Sequence, residues 1–180
     1  MGGQGAVMGA LILADAAFNE GKYAQKIPVY GGARRGGDVT VFLRLDDKPI
    51  RRCCGIYEPD SVIVMDPTLK KQPFVQAGIK EGGIAILNDE VEPDKIDLGV
   101  KLGKVAVIDA SGISAEVFGH RPIPIVNTPM LGAIAKATGW VKLDSLSEPI
   151  RRQLPGKLGE LNIKAVELGW KAVKVLEART

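Results

Sequence analysis

"SVIVMD" occupies residues 61–66, and two later stretches repeat its pattern: "GGIAILND" at residues 82–89 and "KVAVIDA" at residues 104–110. Each is a short, continuously apolar run with an aspartate at or next to its end. Such runs are typical of parallel strands that are buried on both faces. Helical patterns lie between and after them, so the sequence predicts an α/β fold, a single-domain three-layer α/β/α sandwich with a mixed, mostly parallel sheet. We expect one domain over residues 1–180.

The remaining sequence predicts four helices around this sheet. Residues 5–20 are strong helix formers, apolar around most of the circumference, and Gly21 is placed to end this helix. We interpret it as a core helix and not a signal peptide, because no basic leader precedes it. Further helices are predicted after Ser111, as N-cap, and over residues 128–138. The tail "ELNIKAVELGWKAVKVLEA", residues 160–178, predicts one long amphipathic helix.

A β-hairpin is predicted over residues 39–57. Residues 39–45 alternate as a strand does, "DDKP" is a turn, and "PIRRCCGIY" predicts the second strand, which would make the sheet mixed. Cys53 and Cys54 are neighbours in the chain, so we expect them to be unpaired, core-side and structural. Two thiolates are too few for an iron–sulfur cluster, which needs about four. This cysteine usage favours the reducing cytoplasm.

Composition sets limits on the partners. The formal net charge is only +3, aromatic residues make up 5% of the chain, and no run of five basic residues occurs. Nucleic acid is therefore not an expected partner. No window holds 18 uninterrupted apolar residues, so no membrane span is predicted.

Two glycine-rich stretches are the candidate binding loops. In "MGGQGA", Gly2, Gly3 and Gly5 allow backbone N–H groups to turn inward, and the helix after them offers its positive end to an anion. The alternative is that these glycines only permit close packing of helix and sheet. In "YGGARRGGDV", Arg34 and Arg35 can bind phosphate or carboxylate bidentately, or they can meet acidic groups of another subunit. Both alternatives place this loop at an interface.

The other polar residues of the sequence do not indicate a catalytic or metal-binding site. His120 is the single histidine and is interpreted as a loop residue, because no second ligand or base is spaced to join it. Asp66 and Asp109 end apolar strands, where they either face a ligand or cap the next helix. The sequence contains no nucleophile–base pair, no metal-ligand set and no complete cofactor fingerprint, so we do not expect catalysis by this chain alone.

Taken together, several stretches resemble the gamma subunit of 2-oxoacid:ferredoxin oxidoreductases, with the pyruvate and 2-oxoisovalerate enzymes as the nearest group. The matching stretches run in order from Gly2 to about Asn162. They are "GGQGA", "GKYAQKIPVYGGARRGGDVTVFLRLDDKPIR", "YEPDSVIVMDPTL", "GGIAILN", "VIDAS", "IPIVNTPMLGAIAKATG" and "GELN".

The resemblance implies a complex that oxidatively decarboxylates a 2-oxoacid with coenzyme A, giving acyl-CoA, carbon dioxide and reduced ferredoxin. It implies thiamine diphosphate and iron–sulfur clusters on alpha, beta and delta-type partner subunits. This cytoplasmic chain would dock to them and help to hold coenzyme A through Gly3, Gln4, Gly5, Arg34 and Arg35. The alternative is a stand-alone Rossmann-like nucleotide-binding protein, although no GxGxxG follows a strand. Which 2-oxoacid is used is not readable from the sequence.

One departure from the family concerns the start of the chain. The resemblance implies a strand before the glycine turn, whereas this sequence begins at Met1. Either the start codon lies further upstream or the strand is lacking. Without that strand we expect an exposed sheet edge near residues 62–65, and either mobile first residues or an edge-to-edge homodimer.

Overall fold

A computed structural model describes residues 4–31 and 39–178. Within these ranges the chain forms helices and strands in the following order: α1 (Ala6–Asn19), β1 (Tyr23–Tyr30), β2 (Val39–Asp46), β3 (Ser61–Val64), α2 (Pro73–Gln76), β4 (Ile84–Asn88), β5 (Lys104–Ile108), α3 (Ala110–Phe118), α4 (Asn127–Thr138), α5 (Ser147–Gln153), α6 (Lys157–Ala172) and β6 (Lys174–Glu177). Short 3₁₀ turns lie at Pro67–Leu69, Pro93–Lys95 and Asp144–Leu146.

The central sheet has the strand order β3-β4-β5-β6. β3, β4 and β5 are parallel, and β6 pairs antiparallel with β5. Alternate residues of one strand lie in two different apolar clusters: Ala85 and Leu87 of β4 on one face, Ile86 on the other. The three apolar runs are therefore buried on both faces, and the predicted α/β fold with a mixed, mostly parallel sheet is confirmed.

The two layers that cover the sheet are unequal in thickness. On one face, α1, α4, α5 and α6 form the larger cluster. On the other face the cover consists of short helical turns and loops, with Leu69, Ile96 and Leu102 packed against the smaller cluster. The predicted helical connector between β3 and β4 thus forms only a 3₁₀ turn and the four-residue α2. None of the helices in the described ranges is long and apolar enough to cross a bilayer.

Helices α4 and α6 approach each other unusually closely. A Cβ at Gly132 would lie 2.0 Å from the Val166 carbonyl oxygen, and a Cβ at Gly169 would lie 2.0 Å from the carbonyl oxygen of Pro129. Inside the same contact, Thr128 Oγ1 donates a 2.9 Å hydrogen bond to Asn162 Oδ1. Glycine on both helices is what lets the two backbones meet.

The predicted hairpin over residues 39–57 is wrong. β2 pairs instead with the segment before it, β1, in a register that places Ile27 opposite Phe42. Pro28 argues against a strand in the sequence, but a proline is tolerated on the edge of a two-stranded sheet. Residues 50–57 form no strand. The hairpin β1–β2 is a separate sheet, so the mixed character of the central sheet comes from β6.

The predicted tail helix is right only up to Ala172. Val173 is extended with ψ near 129° and buried, and residues Lys174–Glu177 turn back as strand β6. The β-branched residues Val173 and Val175 favour this change. Lys104 of β5 and Glu177 of β6, which are partners in the register, also form a 2.8 Å ion pair.

The expectation that Cys53 and Cys54 are core-side is also wrong, because both thiols are free and exposed. The segment that carries them lies outside the hairpin, and Arg44 holds it there by donating to the carbonyl oxygens of Cys54 at 2.9 Å and Gly55 at 3.0 Å. β3 lies at one edge of the central sheet. The expectation about the first residues, Met1 to Gly3, falls outside the described ranges.

We expect Gly132→Ala to destabilise the chain by about 2 kcal/mol or more, since the new methyl group would overlap main-chain atoms of α6. Thermal and urea denaturation measure this. Gly9→Ala is the matched control, because its Cβ would lie no closer than 3.3 Å to a side-chain atom and alanine favours a helix. An equal loss in both variants would contradict the close helix contact.

Candidate functional site

The start of α1 is the first part of the candidate site. Gly5 is its N-cap, with φ of +82°, and no side chain caps the helix. The first turn of α1 contains no acidic residue, so the positive end of the helix dipole is not neutralised from within. Gln4, the residue before the cap, is buried. Of the predicted loop residues, Gly3 lies outside the described ranges.

The start of α4 meets the start of α1 at Asn127. A Cβ at Gly5 would lie 2.7 Å from Asn127 Cγ and Nδ2, so only glycine leaves room for this amide. Asn127 is 3% exposed. Among the described residues, none donates a hydrogen bond to its buried Oδ1. Such an atom costs about 1–3 kcal/mol, and a donor from a bound molecule would remove that cost.

Asn88, the last residue of β4, joins three elements at the carboxyl edge of the sheet. The side chain is 2% exposed. Its Nδ2 donates to the carbonyl oxygen of Met65 at 2.9 Å and to Ser111 Oγ at 3.0 Å. Its Oδ1 accepts from the backbone N–H groups of Ala110 at 3.0 Å and Ser111 at 3.3 Å. Asn88 therefore holds the end of β3 and the start of α3 in fixed positions.

The two strand-end aspartates act as caps, one of the two alternatives left open by the sequence. Asp66 Oδ1 accepts from the backbone N–H of Thr68 at 3.0 Å and from its hydroxyl at 2.7 Å. Asp109 Oδ1 accepts from Gly112 N at 2.7 Å. Asp109 and not Ser111 is therefore the N-cap of α3, and the prediction for Ser111 was wrong.

Asp89 follows Asn88 and is paired with Lys70. Burial alone would raise the pKa of Asp89. The ammonium group of Lys70 and the backbone N–H groups of Val91 and Glu90 outweigh burial and hold the pKa of Asp89 below its usual value. This carboxylate is consequently charged at neutral pH.

The carboxyl edge of the sheet has two electrostatically different sides. A cleft of about 490 Å³ opens beside α3, and Asp89, Glu90, Asp109 and Glu116 line it together with Lys174. Its acidic lining disfavours phosphate. The start of α1, with no acidic residue in its first turn, is the side that favours an anion.

β1 connects the end of α1 to the second candidate loop. The chain turns within residues 20–22, and β1 packs against α1. Arg34 and Arg35, in the connection between β1 and β2, lie outside the described residues.

The described residues offer no further binding site at His120 and no metal site. His120 is an exposed loop residue, as the sequence predicted. Among residues 4–31 and 39–178, no group of three or more histidine, cysteine and acidic side chains is placed to hold a metal ion.

The chain is similar to known proteins over nearly its whole length. A family model described as "Pyruvate ferredoxin/flavodoxin oxidoreductase" matches residues 1–172. The chain belongs to this family. It is 52% identical over 178 residues to "Pyruvate/ketoisovalerate oxidoreductases common subunit gamma" of Thermococcus kodakarensis, a match that covers 98% of this chain and 95% of that one.

Two further relatives of the family extend the comparison. "Pyruvate synthase subunit PorC" of Methanothermobacter thermautotrophicus is 45% identical over 97% of this chain and 93% of its own length. The crystal structure of pyruvate oxidoreductase subunit PORC from Thermotoga maritima is 33% identical, with a TM-score of 0.83 over 97% of this chain and 93% of that one. Both matches run over nearly the whole of each chain.

The sequence analysis missed Asn88 and Asn127 as members of the site. Asn88 ends an apolar strand just as Asp66 and Asp109 end or follow theirs, and this signal could have found it. Asn127 precedes a Thr-Pro helix start, but only the folded chain shows that it meets Gly5.

We expect Asn88→Leu to lower stability by about 2–4 kcal/mol, because it leaves the Met65 carbonyl and the first N–H groups of α3 without partners in a buried place. Urea denaturation measures the change. The control Asn19→Leu, at an exposed site, should stay within about 0.5 kcal/mol of the parent chain. A near-neutral Asn88→Leu would contradict the joining role.

Asp89→Asn should change the acid dependence of stability. A carboxyl whose pKa is lowered in the folded chain stabilises it above the unfolded-state pKa of about 4, and this contribution is lost as the pH falls through the folded-state value. The variant should therefore melt below the parent chain at pH 7, and the difference should close as the pH falls below about 4. Melting curves across this range measure it, and a difference that is independent of pH would refute the pairing.

Proposed function

We propose that this chain is the gamma-type subunit of a multisubunit 2-oxoacid:ferredoxin oxidoreductase of the pyruvate and 2-oxoisovalerate type. The observation that carries the proposal is the 52% identity, over 98% of the chain, to a relative named as the common gamma subunit of both enzymes. The complex would oxidatively decarboxylate the 2-oxoacid with coenzyme A, and ferredoxin would accept the electrons. Because that relative is named as common, one chain of this kind would serve both substrates.

In this proposal the redox chemistry belongs to the partners. Thiamine diphosphate and the iron–sulfur clusters would lie on alpha, beta and delta-type subunits, and this chain would be inactive alone. The exposed neighbours Cys53 and Cys54 are the only cysteines of the sequence, and about four thiolates are needed for a cluster. A stand-alone nucleotide-binding protein is not favoured, because the relatives are named as subunits.

This chain would also contribute two loops to the coenzyme A site. The unneutralised N-terminus of α1, with Gly3, Gln4 and Gly5, suits a phosphate. The unpartnered Oδ1 of Asn127 beside it can accept a hydrogen bond from the same molecule. Arg34 and Arg35 follow β1 in the sequence, and guanidinium groups bind phosphate bidentately. When bound, coenzyme A supplies the thiol that receives the acyl group.

Assembly tests the subunit role. The chain is co-expressed with the candidate partner subunits from neighbouring genes, and the purified complex is assayed with pyruvate and 2-oxoisovalerate. We expect a stable complex, 2-oxoacid-dependent ferredoxin reduction by the complex and none by the isolated chain. A bound redox centre or steady turnover in the isolated chain would overturn the proposal, as would the lack of any complex.

For the loops, we expect Arg34→Ala with Arg35→Ala to raise the KM for coenzyme A about tenfold in the assembled complex and to leave kcat within about twofold, as loss of phosphate contacts does. The matched control is the adjacent pair Arg151→Ala with Arg152→Ala on α5, whose partners are surface carboxylates. An unchanged KM for coenzyme A, with assembly also unchanged, would remove the arginines from the site.

A further inference from the structure

The positive charge of the sequence is concentrated in one stretch. Residues 22–57, here called the basic arm, contain eight basic and three acidic residues, a net charge of +5. The other 144 residues carry a net charge of −2, although the whole chain has only +3. Such segregation within one domain creates a strong local field that the mild net charge conceals.

The described residues of the basic arm form two layers outside α1. Leu43 and Leu45 point inward and pack against the main core. Phe42 and Arg44 alternate with them on the outer face, and there they hold residues 51–57. A Cβ at Gly55 would lie 3.2 Å from Phe42 Cε2, and Arg44 also donates to Gln25 Oε1 at 2.9 Å.

The outermost layer exposes groups that are typical of protein interfaces. Tyr57 is 81% exposed, whereas most large apolar side chains of the chain are covered. Arg51 and Arg52, in the same segment, are exposed as well. Tyrosine and arginine are the residues most enriched at the energetic centres of protein–protein interfaces.

The main chain of the same layer is available for pairing. Within the described ranges, none of the backbone N–H groups of residues 50–57 donates a hydrogen bond to another part of the chain. Neither Arg51 nor Arg52 forms a salt bridge there, in contrast to Arg151 and Arg152 on α5. The segment of residues 50–57 thus presents two cations without a salt bridge, an exposed tyrosine ring and free main-chain donors together, as far as the described residues show.

We infer that the outer layer of the basic arm, namely Arg51, Arg52 and Tyr57, docks on an acidic surface of another protein subunit. Carboxylates match the guanidinium groups in charge and in bidentate geometry. The exposed ring of Tyr57 would be buried in the contact. The inference rests on the proposed subunit role, and it uses residues other than those at the start of α1.

Cys53 and Cys54 provide a native reporter for this contact, because they are the only cysteines of the chain and lie inside the surface. The isolated chain and the assembled complex are treated with a thiol-alkylating reagent. The subunits are then separated under denaturing conditions. The mass of this chain at each time point shows how many thiols have been alkylated, and the time course gives the rate of alkylation. We expect alkylation in the complex to be slower by about tenfold or more, since modification of a thiol requires access.

Charge reversal tests the chemistry of the partner. Arg51→Glu with Arg52→Glu should weaken association with the other subunits about tenfold or more at 0.1 M salt, and raising the salt concentration should shrink this difference. Lys95→Glu with Lys101→Glu changes the charge equally at exposed positions outside the basic arm, and should stay within about twofold. Circular dichroism checks that each variant is folded.

The outcomes separate this inference from the proposed function. An active complex in which both thiols react at the rate of the isolated chain would overturn the docking surface and leave the subunit role standing. The docking surface would also be overturned if the variant Arg51→Glu with Arg52→Glu associates with the other subunits as strongly as the control variant does. Protection of the thiols in the isolated chain at high concentration, with a dimeric mass, would make a second copy the occupant. Protection only by DNA or by anionic vesicles would also overturn it, and failure of any complex to form would overturn both proposals.

Discussion

Helix α4 is enclosed on every side, and the rest of the fold is arranged around it. Ten of its twelve residues are buried. It contacts β4 and β5 beneath it, α6 beside it and α1 at its start. Enclosure demands small residues where backbones meet, which explains Gly132 on α4 and Gly169 on α6. At the N-terminus of α4 the same crowding fixes Asn127 against Gly5, so the geometry of the candidate site follows from the packing of one helix.

Helices and strands whose structure depends mainly on their own residues could be predicted from the sequence. The three apolar runs and the helices α1 and α4 are each longer or more uniform than any competing pattern, and all were found in the sequence. The strands β1 and β6 were not, because their pairing depends on distant residues. β1 contains Pro28, which argues against a strand locally, and only its position on a free edge makes it acceptable. β6 continues a helical pattern and becomes a strand because β5 offers an open edge for it.

The candidate site shows the same division. Glycine before a helix is a local signal, so the start of α1 was recognised as favourable for anions. The amide of Asn127 is 122 residues away from Gly5 in the chain, and no local sequence pattern predicts their contact. The cysteines were misplaced for a related reason. Their apolar character favours burial, but residues 51–57 lie outside an already complete hairpin, and both thiols are exposed there.

Among the described residues, the hairpin β1–β2 shares no ladder hydrogen bond with the central sheet. Leu43 and Leu45 of its inward face pack against the main core, and both strands contact α1. Insertions, deletions or shifts in this hairpin therefore leave the register of the parallel strands untouched. The hairpin is an appendage in which sequence change would alter what the chain binds without disturbing the scaffold that carries it.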